Sequence, residues 1–210
     1  MEKIDLKKAL KHLYAPSPKK VELVDVPAFN FVMVDGAIEP GQSPGTSPSF
    51  QLAMQALYGI SYTLKFMSKL NKANPLDYVV MGLEGLWWVE DEQFDIRKTD
   101  NWKYTVMILQ PDHITQGMFQ DGLTQLRKKK PSPGLDWLRF ERFQEGLCVQ
   151  TMHIGPYADE PATVARMDAF AEANGYMVAL GKHHEIYLGD PRKGDPAKMK
   201  TVLRHPVKKK

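Results

Sequence analysis

The residues best suited to chemistry lie near the C-terminal end, in the run His183-His184-Glu185-Ile186-Tyr187-Leu188-Gly189-Asp190-Pro191-Arg192. Because side chains alternate along a strand, the run predicts a short strand on which His183, Glu185 and Tyr187 share one face. Gly189-Asp190-Pro191 would end that strand in a turn. A carboxylate on a core strand is costly unless a cationic or polar ligand compensates it. The alternative is an edge strand with Glu185 in water, and the residue types leave both open.

Three further aromatic side chains are candidates for lining a binding site. Trp87 and Trp88 are neighbours on a predicted strand, so only one of them can face a given cleft. Spacing places Trp88 on the same face as Glu84, but a bulge at Gly85 would reverse this, so both tryptophans stay candidates. Tyr157 follows a Gly-Pro turn at a helix entrance, where its phenol could enter a cleft or bond to the backbone.

The histidines do not match a known metal-binding pattern. His183 and His184 point to opposite faces of a strand, and His153 has no partner at ligand spacing. The chain has no HExxH motif, and its single cysteine, Cys148, excludes a cysteine-rich metal site and an internal disulfide. The sequence therefore predicts no metal site. No serine stands in a nucleophile-elbow context either.

Composition is that of an ordinary globular protein. The chain has 210 residues, 43% hydrophobic and 25% charged, with a net charge of +3 that is too small to indicate nucleic acid binding. No signal peptide or membrane-spanning run is visible, so we expect a cytoplasmic protein. Of the two basic runs, residues 127–130 are expected to end a helix and Lys208–Lys210 to form a solvated tail.

The order of predicted elements repeats. Helices are expected at 5–14, 47–70, 112–130 and 161–173, and extended segments at 21–26, 29–35, 78–89, 102–109, 138–143, 146–154, 176–180, 183–188 and 201–204.

Strand, helix, strand, strand thus occurs twice. The sequence predicts an α+β fold of one domain, residues 1–210, with antiparallel sheets and helices packed on them. Module one spans about residues 20–110, a linking helix about 112–130, and module two about 137–207. Glu84 is expected to occupy in module one the position that Glu185 occupies in module two. A pseudo-two-fold arrangement of this kind predicts a ligand cleft between the modules.

Five motifs together resemble one known family. They are Leu83-Glu84-Gly85-Leu86-Trp87-Trp88, Ile114-Thr115-Gln116-Gly117-Met118-Phe119, His153-Ile154-Gly155-Pro156-Tyr157 with Asp159-Glu160-Pro161, His183-His184-Glu185-Ile186-Tyr187-Leu188, and Leu203-Arg204-His205-Pro206-Val207. Over nearly its whole length the chain resembles the GyrI-like small-molecule-binding proteins, in their stand-alone form with two SHS2 (strand-helix-strand-strand) modules. Where family members have Ser after the last Tyr-Leu, this chain has Gly189.

The resemblance implies a role in xenobiotic resistance. Related domains are the drug-sensing parts of AraC-type and MerR-type regulators, where a central glutamate, by resemblance Glu185, meets cationic aromatic drugs. This chain has no helix-turn-helix segment, so it is not expected to regulate transcription itself. A subset of stand-alone members resembles hydrolases that open the cyclopropane of DNA-alkylating antibiotics, using an aromatic cage and an acidic residue.

We therefore expect a protein that binds flat, hydrophobic or cationic xenobiotics and hydrolyses cyclopropane-bearing ones. The predicted site has two catalytic residues, Glu185 and Tyr157, and six ligand-binding residues: Trp87, Trp88, Tyr187, Glu84, His153 and His183. No cofactor is expected, because ring strain and aromatisation drive the reaction. The expected partners are hydrophobic or aromatic small molecules, not nucleic acid or membrane, and the expected state is a monomer or weak dimer. The alternatives are a drug-sequestering protein without turnover and, third, a protein that protects DNA gyrase.

Overall fold

A computed structural model describes residues 3–90, 94–96, 101–179, 181–190 and 194–210. Leu180, Pro191 and Arg192, which belong to predicted segments, lie outside this range. The helices are α1 (Leu6–Ala9), α2 (Lys11–Tyr14), α3 (Pro48–Lys69), α4 (Gln116–Lys129) and α5 (Glu160–Ala173). The strands are β1 (Lys3–Ile4), β2 (Glu22–Val26), β3 (Phe29–Ala37), β4 (Asp77–Tyr78), β5 (Glu84–Trp88), β6 (Lys103–Gln110), β7 (Arg139–Phe143), β8 (Gly146–Ile154), β9 (Tyr176–Val178), β10 (His183–Tyr187) and β11 (Lys200–Lys209).

One curled antiparallel sheet organises the described residues. Its strand order is β2-β8-β11-β10-β5-β6-β3-β7, with β9 paired to the end of β11. Only two residues join β2 to β3, and only two join β7 to β8. In both cases the joined strands lie at or near opposite ends of the sheet order. Such short connections are possible only if the sheet curls until its two ends approach each other. The sheet therefore has a concave inner face and a convex outer face.

The predicted repeat is present, and the α+β class is confirmed. Module one contributes β3-α3-β5-β6 and module two contributes β8-α5-β10-β11. The modules join where β5 pairs with β10, with Gly85 opposite Glu185. The strand that precedes each module pairs with a strand of the other module. β2, which precedes module one, pairs with β8, and β7, which precedes module two, pairs with β3.

Helices α3 and α5 cover the outer face, one over each module. The α3 helix begins at a Ser47 cap, whose hydroxyl accepts a hydrogen bond from the Phe50 N–H at 3.1 Å. Its buried side presents Phe50 to Trp87 and Tyr104 of the sheet. On the other module, Met167 and Ala171 of α5 pack with side chains of β8 and β11. A central strip of the outer face, over β5 and β10, lies between the two helices.

A buried ionic network fills part of the inner face. Glu145 accepts hydrogen bonds from His184 Nδ1 and Arg204 Nη1, each at 3.0 Å. His184 Nε2 lies 3.1 Å from Glu84 Oε2, and the Tyr14 hydroxyl donates to the other oxygen of Glu84 at 2.7 Å. Burial opposes ionisation of Glu145, but His184 and Arg204 lower its pKa to about 2. The network ties the N-terminal helices to both modules.

Several boundaries differ from the predictions. The extended segment predicted at 78–89 is interrupted, since β4 ends at Tyr78 and β5 begins at Glu84. The α4 helix begins at Gln116 rather than 112, because Thr115 caps it by accepting from the Met118 N–H. Lys208 and Lys209 are exposed as expected, but they are not a free tail, because they pair with β9 at the end of a ten-residue strand. Within the described residues no helix is long and apolar enough to cross a membrane.

The ionic network predicts a large difference between two arginine substitutions. Arg204→Met leaves Glu145 buried without its guanidinium, which costs about 3–5 kcal/mol when a buried pair loses one partner. The control is Arg127→Met, since the Arg127–Asp136 pair is solvent-exposed and contributes about 0–1 kcal/mol. Urea unfolding measures both changes. Equal losses of unfolding free energy would contradict the assigned role of the network.

Candidate functional site

The three side chains predicted to share a face of β10 do so. His183, Glu185 and Tyr187 all lie on the outer face, in the strip between α3 and α5. The alternative of an edge strand with Glu185 in water is wrong, because β10 is paired on both sides and Glu185 is only 5% exposed.

His183 links two buried carboxyl groups, and with His205 they form what we call the charge cluster (Glu160, His183, Glu185 and His205). The Nε2 atom of His183 lies 3.2 Å from Glu185 Oε1 and 3.3 Å from Glu160 Oε2. Its Nδ1 lies 2.7 Å from His205 Nε2. Burial alone would lower the pKa of His183, but its hydrogen bonds to Glu160 and Glu185 raise it to about 9. His183 is therefore an imidazolium at neutral pH.

Two further members of the charge cluster, Glu160 and His205, have pKa values shifted in opposite directions. Burial and the charge of Glu185 raise the pKa of Glu160. Burial and the His183 cation lower the pKa of His205 to about 3, so His205 is neutral and accepts the His183 Nδ1–H with its Nε2. The Nδ1 atom of His205 and the Oε1 atom of Glu160 are buried without hydrogen-bond partners among the described residues.

Glu160, His183 and Glu185 together also offer the ligand types of a metal site. Their ligand-type atoms all lie within 4.8 Å of one another, as they would around a metal ion. A metal ion would take the lone pair of His183 Nε2 and so replace the proton that this nitrogen otherwise shares with the two carboxyl groups.

Aromatic side chains surround the charge cluster. The indole N–H of Trp87 donates to the Tyr187 hydroxyl at 2.9 Å, while the rest of Trp87 is buried against the core of module one. Tyr157 meets the partly exposed Tyr187 ring edge-on, with centroids 5.8 Å apart. Phe94 stacks on the His183 ring at 5.3 Å. Aromatic groups from both modules thus bracket Glu185.

Two predicted ligand-binding residues lie on the opposite face of the sheet. Glu84 is part of the inner-face network and contacts His184. Trp88 shares the inner face with Glu84, and the Lys182 ammonium lies 3.9 Å from the centre of its ring. The spacing correctly predicted that Trp88 and Glu84 share a face of β5. Trp87 therefore lies on the outer face, the face that carries Glu185.

The expected equivalence of Glu84 and Glu185 is wrong, because the two side chains point to opposite faces of the sheet. Glu185 pairs with Gly85, and a one-residue offset moves a side chain to the other face of a sheet. A Cβ atom on Gly85 would lie 2.7 Å from Trp87 Nε1 and 3.2 Å from the Tyr187 hydroxyl. Module one therefore supplies space for the Trp87–Tyr187 hydrogen bond where module two supplies a carboxylate.

His153 supports the turn that positions Tyr157. Its Nδ1 lies 2.9 Å from the Thr163 hydroxyl and its Nε2 lies 3.1 Å from the Pro156 carbonyl oxygen. Gly155 of that turn has φ +131°, a conformation that favours glycine. Among the hydrogen bonds of the described residues, those of His153 join β8 to α5 and to the Tyr157 turn and not to the charge cluster.

A groove of about 680 Å³ opens beside the charge cluster and lies between α5, β9 and the 94–96 segment. Its volume is typical of sites for small molecules. Glu160, His183 and His205 line one end, and Asp168 lies further along the same face of α5. Apolar groups supply most of the rest of the wall: Phe94, Ile96, Pro161, Val164, Ala165, Tyr176, Met177, Val178 and Ala179.

Sequence reasoning did not assign a role to Glu160 or His205. Each was part of a quoted motif, but an acidic residue at the start of a helix is usually a solvated first-turn group. Only the pairing of β10 with β11, which places His183 beside His205, and the seating of α5 over the sheet bring them together.

The comparisons with known proteins identify the family. A family model described as a GyrI-like small molecule binding domain matches residues 19–208. The chain belongs to this family. A search of curated proteins gave no significant match.

Solved structures of GyrI-like relatives from Listeria innocua are similar over their full length. An uncharacterized conserved protein is 44% identical with a TM-score of 0.89, covering 98% of this chain and 100% of that one. Two structures named as hydrolases are 42% and 43% identical, with TM-scores of 0.84 and 0.86. They cover 98% and 99% of this chain and 100% of their own.

Because Trp87 and Tyr187 fill the space that a Cβ atom on Gly85 would need, adding one methyl group there should have a specific effect. Gly85→Ala should separate Trp87 from Tyr187 and destabilise the fold by about 1–3 kcal/mol through overpacking. The control is Gly189→Ala, where an added Cβ meets open space and a change within about ±0.5 kcal/mol is expected. Thermal unfolding and tryptophan fluorescence report both variants. A Gly85→Ala protein as stable as Gly189→Ala would refute the close approach.

The charge cluster also predicts a dependence of stability on pH. The folded pKa of His183, about 9, lies above the ordinary value of about 6.5. Its stabilisation is therefore complete below about pH 6.5 and lost as the pH rises through about 9. The raised pKa of Glu160 acts in the same direction. Unfolding free energies from pH 6 to 10 should fall more steeply for the unsubstituted protein than for His183→Gln; parallel curves would contradict the assignment.

Proposed function

We propose that the outer face between the modules binds flat, hydrophobic or cationic xenobiotics and hydrolyses those that carry a strained cyclopropane. The observation that carries the proposal is Glu185, a buried carboxylate held by His183 between aromatic side chains of both modules. Small-molecule binding is the property of the GyrI-like family. The hydrolytic step draws support from close relatives named as hydrolases.

The groove suits a flat ligand with positive charge. Its apolar wall, which includes Phe94 and Val164, provides stacking and apolar contact. Three acidic residues of α5, Glu160, Asp168 and Glu172, line the groove together with Lys182 and Lys210. Burial raises the pKa of Asp168, so a ligand cation nearby would stabilise its charged form.

In the proposed reaction Glu185, which adjoins the groove through its contact with His183, acts on water beside such a ligand. A carboxylate within hydrogen-bond reach of a water molecule can remove its proton as the oxygen attacks a strained ring carbon. Tyr187 and Tyr157 lie next along the strip and would hold the water and the flat ring system in place. The proposed reaction needs no cofactor, and we propose that the protein performs it in the cytoplasm as a monomer or weak dimer.

Glu185→Gln separates binding from conversion. The amide keeps the shape of the carboxyl group but does not accept a proton, so product formation should fall by about 10²–10⁴-fold while ligand binding remains. Mass spectrometry measures the product, and quenching of tryptophan fluorescence measures binding. The control is Glu141→Gln on β7, which is separated from β10 by three strands in the sheet order; this variant should behave like the unsubstituted protein.

Two other results would decide against hydrolysis by Glu185. If neither the unsubstituted protein nor Glu185→Gln forms product although both bind the drug, the protein is a sequestering protein. If Glu185→Gln converts the drug at an unchanged rate, Glu185 is not the base.

A further inference from the structure

Glu160 has a buried carboxyl group in which only one of the two oxygens has a hydrogen-bond partner among the described residues. It is the first residue of α5 and is only 1% exposed. Its Oε2 lies 3.3 Å from His183 Nε2, whereas Oε1 is buried without a hydrogen-bond partner among the described residues. An ionised oxygen in that position would bear a large desolvation cost. A protonated carboxyl group removes the charge and leaves one O–H without a partner in a residue that lines the groove.

The charge cluster makes its two carboxyl groups chemically different. His183 carries one positive charge and lies at hydrogen-bond distance from both Glu160 and Glu185, so it can fully neutralise only one of them. Burial and the charge of Glu185 raise the pKa of Glu160. Paired carboxyl groups whose environments differ in this way divide into an acid and a base.

Tyr157 is the other group near the cluster that could donate a proton, and it is less suited to do so. Burial raises the pKa of its phenol above the ordinary value, and the charges of Glu185 and Glu160 raise it further. A phenol of raised pKa gives up its proton less readily than a carboxylic acid. The geometry leaves Tyr157 to orient the ligand through its ring, next to Tyr187.

We infer that Glu160 is the catalytic proton donor of the reaction for which Glu185 is the base, an inference that rests on the proposed hydrolase function. Glu185 takes a proton from water, and the water oxygen bonds to the cyclopropane CH₂ carbon. The bond from that carbon to the conjugated ring breaks, and its electron pair moves through the ring to the carbonyl oxygen. That oxygen, now a phenolate, takes the proton of Glu160 and becomes a phenol. The sum is addition of one water.

His183 then restores the two carboxyl groups. After the step Glu185 holds a proton and Glu160 is ionised. Because His183 Nε2 is within hydrogen-bond distance of both, it can pass its proton to Glu160 and receive the one on Glu185. His205 accepts from the other nitrogen of His183 and keeps the ring oriented during the exchange. The cluster can thus complete a cycle without taking a proton from solvent.

The test is a series of cyclopropane substrates whose product phenols differ in acidity. Glu160→Gln should lose about 10²–10⁴-fold in kcat on the substrate with the least acidic phenol and progressively less as the phenol becomes more acidic. Glu185→Gln should lose a similar factor on every substrate. The matched control is Asp168→Asn, also on α5 in the groove but outside the hydrogen bonds of His183; it should change KM and leave the dependence on phenol acidity as it was.

The pH profile gives a second readout. In the unsubstituted protein kcat should fall as the pH rises through the pKa of Glu160, and this alkaline fall should be absent from Glu160→Gln. Equal losses on every substrate with an unchanged pH profile would overturn the assignment of Glu160 as the acid. Thermal unfolding of each variant confirms that the compared proteins are folded.

Infrared difference spectroscopy separates failure of this inference from failure of the proposed hydrolase. At pH 7 the protein should show the carbonyl band of a protonated carboxyl group, and the band should disappear in Glu160→Gln. If the band is absent while the protein turns over substrate, the inference about Glu160 fails and the hydrolase stands. If the band is present but no cyclopropane substrate is converted, the hydrolase fails, and the catalytic role of Glu160 fails with it.

Discussion

The site depends on one imidazolium shared by two buried carboxyl groups. A carboxylate on a central strand is destabilising by itself, and the His183 cation offsets that cost for Glu185 while remaining within reach of Glu160. His205 fixes the orientation of the ring by accepting from its other nitrogen. Without this arrangement the strip between α3 and α5 would have to be apolar, and it would offer a ligand contact area but no charge.

The seam between the modules explains why the site is asymmetric in a pseudo-symmetric fold. At the β5–β10 pair, module two presents Glu185 and module one presents Gly85. The missing side chain leaves room for Trp87 and Tyr187 to hydrogen-bond across the seam. Glu84, one residue away, faces the inner side and is used there to hold the N-terminal segment through Tyr14. Two neighbouring residues of β5 thus belong to different faces, Gly85 to the outer face beside the charge cluster and Glu84 to the inner ionic network.

Local patterns predicted much of this fold. Alternation on β10 placed His183, Glu185 and Tyr187 on one face, and the 3.6-residue period with its Ser47 cap predicted α3. The repeat of strand, helix, strand and strand followed from the same signals. The strand register did not follow from them, because the pairing of Glu185 with Gly85 depends on contacts about a hundred residues apart in sequence. For the same reason the roles of Glu160, His205, Glu145 and Arg204 lay beyond local patterns.

The most direct test of the account is a turnover experiment with the unsubstituted protein, a large molar excess of a cyclopropane-bearing alkylating drug, and ¹⁸O-labelled water. We expect product in amounts many times that of the protein, heavier than the drug by one water and carrying the ¹⁸O label. Drug that remains unchanged and co-elutes with the protein would contradict the account, because a site with a poised base and acid would then only bind.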